Sequence, residues 1–277
     1  MLEGIAIVSQ SRDISMRETA RVSAAIQTQV LRDLKPWWDV SAAVNTFFRI
    51  EDVPLGQWPV VIRDDVSPAT AGIHRVEGIR VGVAASDGDW TVAVSRLVLD
   101  LLVNPDGTHR VVGPSPESGQ DDVEFVVAVG AVGHEFSYDA HRYPVSDFVY
   151  PAYYHGGSGP YDSTGAVTGP LQLDPGGCLT WWDGGSGRWW HRRVGSDGQV
   201  ASQPVDIDAD ADMHRQLEGL APRPTSAAEP EIDLRATAGA RPTGATHRAQ
   251  RLNDMLNDLG DVAIERDQRS AKESPNR

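Results

Sequence analysis

Cysteine is nearly missing: Cys178 is the only one among 277 residues. A lone thiol excludes an internal disulfide framework and fits a reducing compartment, so a cytoplasmic protein is expected. Lysine is scarce as well, Lys35 and Lys272 being the only two of 25 basic side chains, and the net charge is -14. Contact with nucleic acid through its phosphates needs clustered cations, so no nucleic-acid partner is expected. No apolar run reaches the ~20 residues of a membrane span, so no membrane association is expected either. The first residues, MLEGIAIVSQSRD, lack the basic and apolar regions of a secretory leader. Aromatic residues, otherwise plentiful, disappear entirely after residue 220. Nine basic and nine acidic side chains balance in 221–277, so the whole acidic surplus lies before it.

A stretch of that composition buries too little surface to offset its ordering entropy, and a disordered C-terminal tail is expected over 221–277. Inside it Leu252, Met255, Leu256, Leu259 and Val262 recur at helical spacing. That gives a short amphipathic helix at about 248–264, a candidate docking element for a protein partner. Ahead of the tail, 195–220 is polar and acidic and reads as a variable segment. Residues 1–194, in a chain that is 40% hydrophobic, hold the apolar runs of a folded domain.

The spacing in that domain predicts a strand at Gly4–Ser9 and a helix opened by a Ser15/Glu18 capping box, ended near Leu34 by Lys35-Pro36. Strands are predicted at Ala43–Ile50, Trp58–Arg63 and Gly78–Ala85. A Pro/Gly/Ser loop at 111–122 precedes a buried strand at Val123–Gly130. Cys178 reads as a small buried hydrophobe. Between these elements lies WTVAVSRLVLDLLVNP, a helix over about 90–103 with Asp89 as N-cap and Asn104-Pro105-Asp106-Gly107 as its stop. Its apolar residues surround it on nearly all sides, which predicts a buried central helix. Arg96 and Asp100 interrupt it four residues apart, on one face.

Two ligands at that spacing can grip one zinc ion from adjacent turns, as in HExxH helices, where the neighbouring Glu is the general base. The frame Trp90-Thr91-Val92, Ser95 and Asn104-Pro105 resembles the W-T-V…S-H-E-x-x-E-M-L-x-D-P helix of a zincin-like (HExxE metallopeptidase-like) family of bacterial and phage-encoded proteins. Val123-Glu124-Phe125 is similar to its V-E-F-x-V-E-V-C-D-P stretch. Val145-Ser146-Asp147-Phe148, Ser163-Thr164-Gly165-Ala166-Val167 and Pro175-Gly176-Gly177 are similar to its later segments. The resemblance covers about residues 3 to 192. It implies an α+β fold, a zincin-like mixed sheet with a buried central helix, in the order strand–helix–strand–strand–strand–helix. It also places the lost chemistry: Arg96 stands at the first ligand, Leu97 at the base, Asp100 at a shortened carboxylate and Ala128 at the second Glu, with Gly130-Ala131-Val132 for Cys-Asp-Pro. Arginine has no lone pair for a cation and leucine takes no proton. A catalytically inactive relative that works through binding, without cofactor, is the expectation, with Arg96 and Asp100 paired in the vacated site.

Two alternatives stand beside it. A metal-dependent hydrolase with a relocated zinc site would use Asp100, Glu124 and His134 or His141, although the seven-residue gap in HEFSYDAH sets the two His roughly 10 Å apart on a helix. A carbohydrate- or peptide-binding module, also open to a protein partner, would use Trp181, Trp182, Trp189 and Trp190. These lie on a predicted hairpin at 179–193, where neighbours point to opposite faces.

Overall fold

The computed structural model describes residues 4–66, 71–76, 79–117, 121–133, 137–208, 213 and 216, with the backbone alone at 75 and 76. It is a mixed α/β protein with two five-stranded sheets, a two-stranded hairpin and few helices. The tail 221–277, its predicted helix included, lies outside the described residues.

The first sheet has the order β2-β1-β3-β5-β4. Its strands are β1 (Gly4–Ser9), β2 (Ala43–Phe47), β3 (Gln57–Arg63), β4 (Gly72–Val76) and β5 (Ile79–Ala85). All pairs are parallel except β4 with β5. Parallel strands are covered on both faces and read as continuous apolar runs, which is how GIAIVS and VVIR come to be wholly or nearly buried. β2 ends at Phe47, three residues short of the predicted Ile50, which turns into a short 3-10 helix and packs with Val61, Val81 and Val83 on one face of the sheet.

On the other face lies α1 (Met16–Gln29), opened by Ser15, whose Oγ accepts from the Glu18 N–H at 3.2 Å. The helix does not stop at Lys35-Pro36. It widens into a π-turn at Val30–Leu34 and continues as α2 (Lys35–Trp38). Pro36 follows at once on the π-turn, in which the Lys35 N–H donates to the Val30 carbonyl. Asp39, left-handed at φ 51°, ends α2.

Beside α1 lies α3 (Trp90–Val103), packed on β5 and on the later hairpin. Ten of its fourteen residues are buried, as its apolar surround predicts. Asp89 precedes it without a side-chain capping bond.

The second sheet is antiparallel, in the order β12-β11-β10-β7-β6. It comprises β6 (Arg110–Gly113), β7 (Val123–Val126), β10 (Cys178–Asp183), β11 (Arg188–Val194) and β12 (Val200–Val205). β6 takes the first residues of the predicted 111–122 loop. β7 is half the predicted strand, because the chain turns at Ala128, whose carbonyl accepts from Ala131 N–H at 3.2 Å. A boundary at 194 falls inside this sheet: β12 pairs with β11 along Val200–Val205, and Met213 is 2% exposed against Val126 and Trp189. The sequence pattern concealed β12 because it is an edge strand exposed on both faces along nearly its whole length, with no buried face to set an alternation. Between the sheets' chain segments sit the hairpin β8 (Ser137–Ala140) with β9 (Tyr143–Ser146), and α4 (Pro151–His155). One large core takes side chains from both sheets, α1 and α3. Among the described residues no helix is long and apolar enough to cross a membrane.

Candidate functional site

Ser95 and Arg96 sit in the middle of α3 and aim into different surroundings. Ser95 is fully buried. Its hydroxyl donates to Gln29 Oε1 at 2.7 Å and accepts from Ser146 N–H at 3.0 Å. Gln29, also fully buried, donates through Nε2 to the Ser146 carbonyl at 2.7 Å and to Tyr138 Oη at 3.2 Å. Tyr138 Oη in turn donates to Asp33 at 2.7 Å, and burial together with that carboxylate pushes the phenol well above its usual range. The last residue of α1, the centre of α3 and the end of β9 are thereby locked together. Gln29 escapes notice in the sequence because one amide on an apolar helix face carries no motif.

That lock fixes Asp147, next in the chain. Its carboxylate accepts from the backbone N–H groups of Phe148, Ser163 and Thr164 at 2.8, 3.2 and 3.0 Å, and from the Thr164 hydroxyl at 2.6 Å. Asp162 accepts from Gly165 and Val167 N–H at 2.8 and 2.9 Å, with the Thr164 hydroxyl 3.2 Å away. Both carboxylates are buried. The segments VSDF and DSTGAV are thus one structural unit, and Pro175-Gly176-Gly177 adjoins it. A side chain at Gly177 would stand 2.2 Å from the Val132 carbonyl, so only glycine lets these two backbones meet.

On the Arg96 side the guanidinium donates from Nη2 to the Gly130 carbonyl at 3.0 Å. It also pairs with Asp100 one turn on, Nε to carboxylate 3.6 Å, the two side chains being 31% and 24% exposed. The expected pair is present, but half-buried where a deeply buried one was anticipated. Leu97, at the position of the general base, faces the first sheet and packs on Gly82 of β5. Ala128 exchanges both backbone hydrogen bonds with Tyr154 Oη, at 2.9 and 2.8 Å. Burial raises that phenol above its usual range, with the Ala128 bond opposing. Arg96, Asp147 and Asp162 line one small cavity with Val129, Gly130, Val132, Phe148, Val149 and Val167; at about 20 Å³ it has room for a water molecule or two. Burial raises the Cys178 thiol, while Arg96 opposes.

Among the described residues of the relocated-metal alternative, Asp100, Glu124 and His141 are not brought together. Glu124 faces the outer side of the second sheet beside Trp182 and pairs with Arg110 at 3.0 Å. Its neighbour Phe125 is the one that faces the core and α3. His141 lies in the β8–β9 turn with Nε2 2.9 Å from Thr28 Oγ1 on α1. His134 lies outside the described residues. Among the described residues no three His, Cys, Asp or Glu side chains gather as a metal group.

The tryptophan hairpin forms as predicted, with Trp181 opposite Trp190 and Trp182 opposite Trp189. It offers no flat free platform. Trp181 is fully buried and stacks on Trp190 at 6.3 Å. On the outer face Trp182 meets Trp189 edge to face at 5.5 Å, under Arg110 and Met213. Ile207 and Met213, past β12, pack with this outer pair, while Trp182 and Trp190 stay partly exposed.

No protein family, no curated protein and no solved structure matches this chain.

Proposed function

We propose that the chain is a catalytically inactive zincin-like protein that acts through binding, as an interaction protein. The element order from β1 to α3, which departs from the expected strand–helix–strand–strand–strand–helix by the added strand β4, supports the architectural half of that reading, and so does the burial of α3 between sheet and hairpin. One observation carries the functional half: the guanidinium of Arg96 lies at the helix position where a zincin places its first metal ligand, held by Gly130 and Asp100.

Zinc needs three or four lone-pair donors from N, S or O. Around this point Arg96 offers none, Leu97 is committed to the core, and Ala128, Gly130 and Ala131 have no donor side chain. Asp100 already faces a cation, and the nearby Asp147 and Asp162 spend their oxygens on backbone N–H groups and the Thr164 hydroxyl. The residues present do not fit zinc, and no hydrolytic step is derived through it. Elemental analysis of the purified chain is the test. The expected result is substoichiometric zinc that dialysis removes. One zinc per chain, resistant to all but a strong chelator, would overturn the reading.

A further inference from the structure

We infer that Gly130 and Asp100 form a guanidinium site, which the chain fills with its own Arg96. Gly130 is not among the glycines held at positive φ, so its backbone does not demand glycine. What it supplies is room. A Cβ built there would stand 1.8 Å from Arg96 Cζ, 1.9 Å from Nη2 and 2.2 Å from Nη1. The planar group therefore lies flat against the bare backbone, at a place any larger residue would claim. Its ligands are of two kinds. The Gly130 carbonyl accepts a hydrogen bond at 3.0 Å, and the Asp100 carboxylate balances the charge from 3.6 Å.

The wider surroundings suit a cation. Asp147 and Asp162 line the same cavity, with their oxygens turned to backbone amides and to Thr164. Those hydrogen bonds consume the lone pairs but leave the negative charge in place. A planar, weakly hydrated cation with several donors answers that charge without needing the carboxylates as direct ligands. At about 20 Å³, walled by Val129, Val132, Phe148 and Val149, the cavity is too small for the several waters that a compact hydrated metal ion keeps. Arg96 and Gly130 are accordingly one unit. The chemical class the site takes is an alkylguanidinium, and tethering on α3 spares it the cost of association.

The claim deepens the reading above by saying what occupies the helix position, and its failure is distinct from that reading's failure: bound zinc would sink that one, whereas the measurements below concern Arg96 and Gly130 alone. The first is a double-mutant cycle in thermal unfolding with Arg96→Ala, Gly130→Ala and both together. Gly130→Ala should lower the midpoint of the parent clearly and that of the Arg96→Ala chain little. Equal losses in both backgrounds would overturn the proposal. The second keeps the test sound if Gly130→Ala folds poorly. Ethylguanidinium at millimolar concentration should raise the midpoint of Arg96→Ala and leave the parent unmoved. A midpoint that stays fixed in Arg96→Ala, or rises equally in the parent, would overturn it.

Discussion

Ser95 and Arg96 are consecutive residues about 100° apart around α3, and the sides they face are built to different standards. On the Ser95 side the polar groups are partnered in a chain running from half-buried Asp33 and Tyr138 through buried Gln29 to buried Ser146 and on to Asp147. On the Arg96 side the guanidinium donates one hydrogen bond to Gly130 and forms a long ion pair with Asp100, both side chains being partly open to water. The first side holds α1, α3 and β9 in a fixed relation, so a change there strands buried groups. The second holds only itself. A fold can lose the chemistry of such an exposed edge and keep its architecture, provided that the neighbouring lock is untouched.

The largest effect is therefore expected at Asp147, where the lock ends. Asp147→Ala leaves the backbone N–H groups of Phe148, Ser163 and Thr164 without the buried carboxylate that accepts from them, the Thr164 hydroxyl keeping only Asp162 at 3.2 Å. Stranding buried donors and losing charge-assisted bonds costs on the order of 3–5 kcal/mol. Chemical denaturation should show that loss, with a slope no steeper than the parent's. A loss below about 1 kcal/mol would mean that water replaces the carboxylate and that the loop 163–167 is not held by it. Next comes Gln29→Leu. It removes the donor to Ser146 and the acceptor of Ser95 together, for about 2–3 kcal/mol. Adding Ser95→Ala should then cost much less than Ser95→Ala alone, since the two act through one network. Additive losses would break the comparison by showing two independent bonds where a lock is claimed.

The sequence disclosed these two sides unequally, and the reason is physical. A buried helix writes itself as an apolar surround, so α3 was predicted within a residue of its ends. The i,i+4 spacing brought Arg96 to Asp100 because helix geometry alone fixes that neighbourhood. What the pattern could not supply was depth. Exposure depends on the 128–133 turn, which sequence reading had extended as strand through Gly130. The isolated glycine in VVAVGAV was the available signal, since a glycine in a strand pattern marks a bulge or a close approach. Gln29 and Asp147 gain their roles from partners 16 to 117 residues away, and no local period encodes such pairings, whereas Asp162 bonds within five residues of itself. β12 was missed for the converse reason. An exposed edge strand of polar residues has no apolar alternation to show.

The smallest effect tests the Arg96 side itself. Had the pair been deeply buried, removing one partner would strand a charge at a cost of about 3–5 kcal/mol. At 31% and 24% side-chain exposure and 3.6 Å separation, water can solvate whichever charge remains. The ion-pair contribution should fall to about 1 kcal/mol or less. Arg96→Ala also gives up the bond to Gly130 and the packing of its aliphatic stem on α3. Asp100→Ala gives up the pair but leaves the Gly130 bond in place. Arg96→Ala should therefore be the more costly of the two, and Asp100→Ala should be barely distinguishable from the parent in 0.5 M salt, where an exposed pair is screened. Denaturation curves for both variants at low and high salt decide it. A loss at Asp100→Ala that persists undiminished in salt would place the carboxylate in a drier setting than its exposure implies. The two sides of α3 would then be alike after all, and the Arg96 side would be as much a structural lock as the Ser95 side.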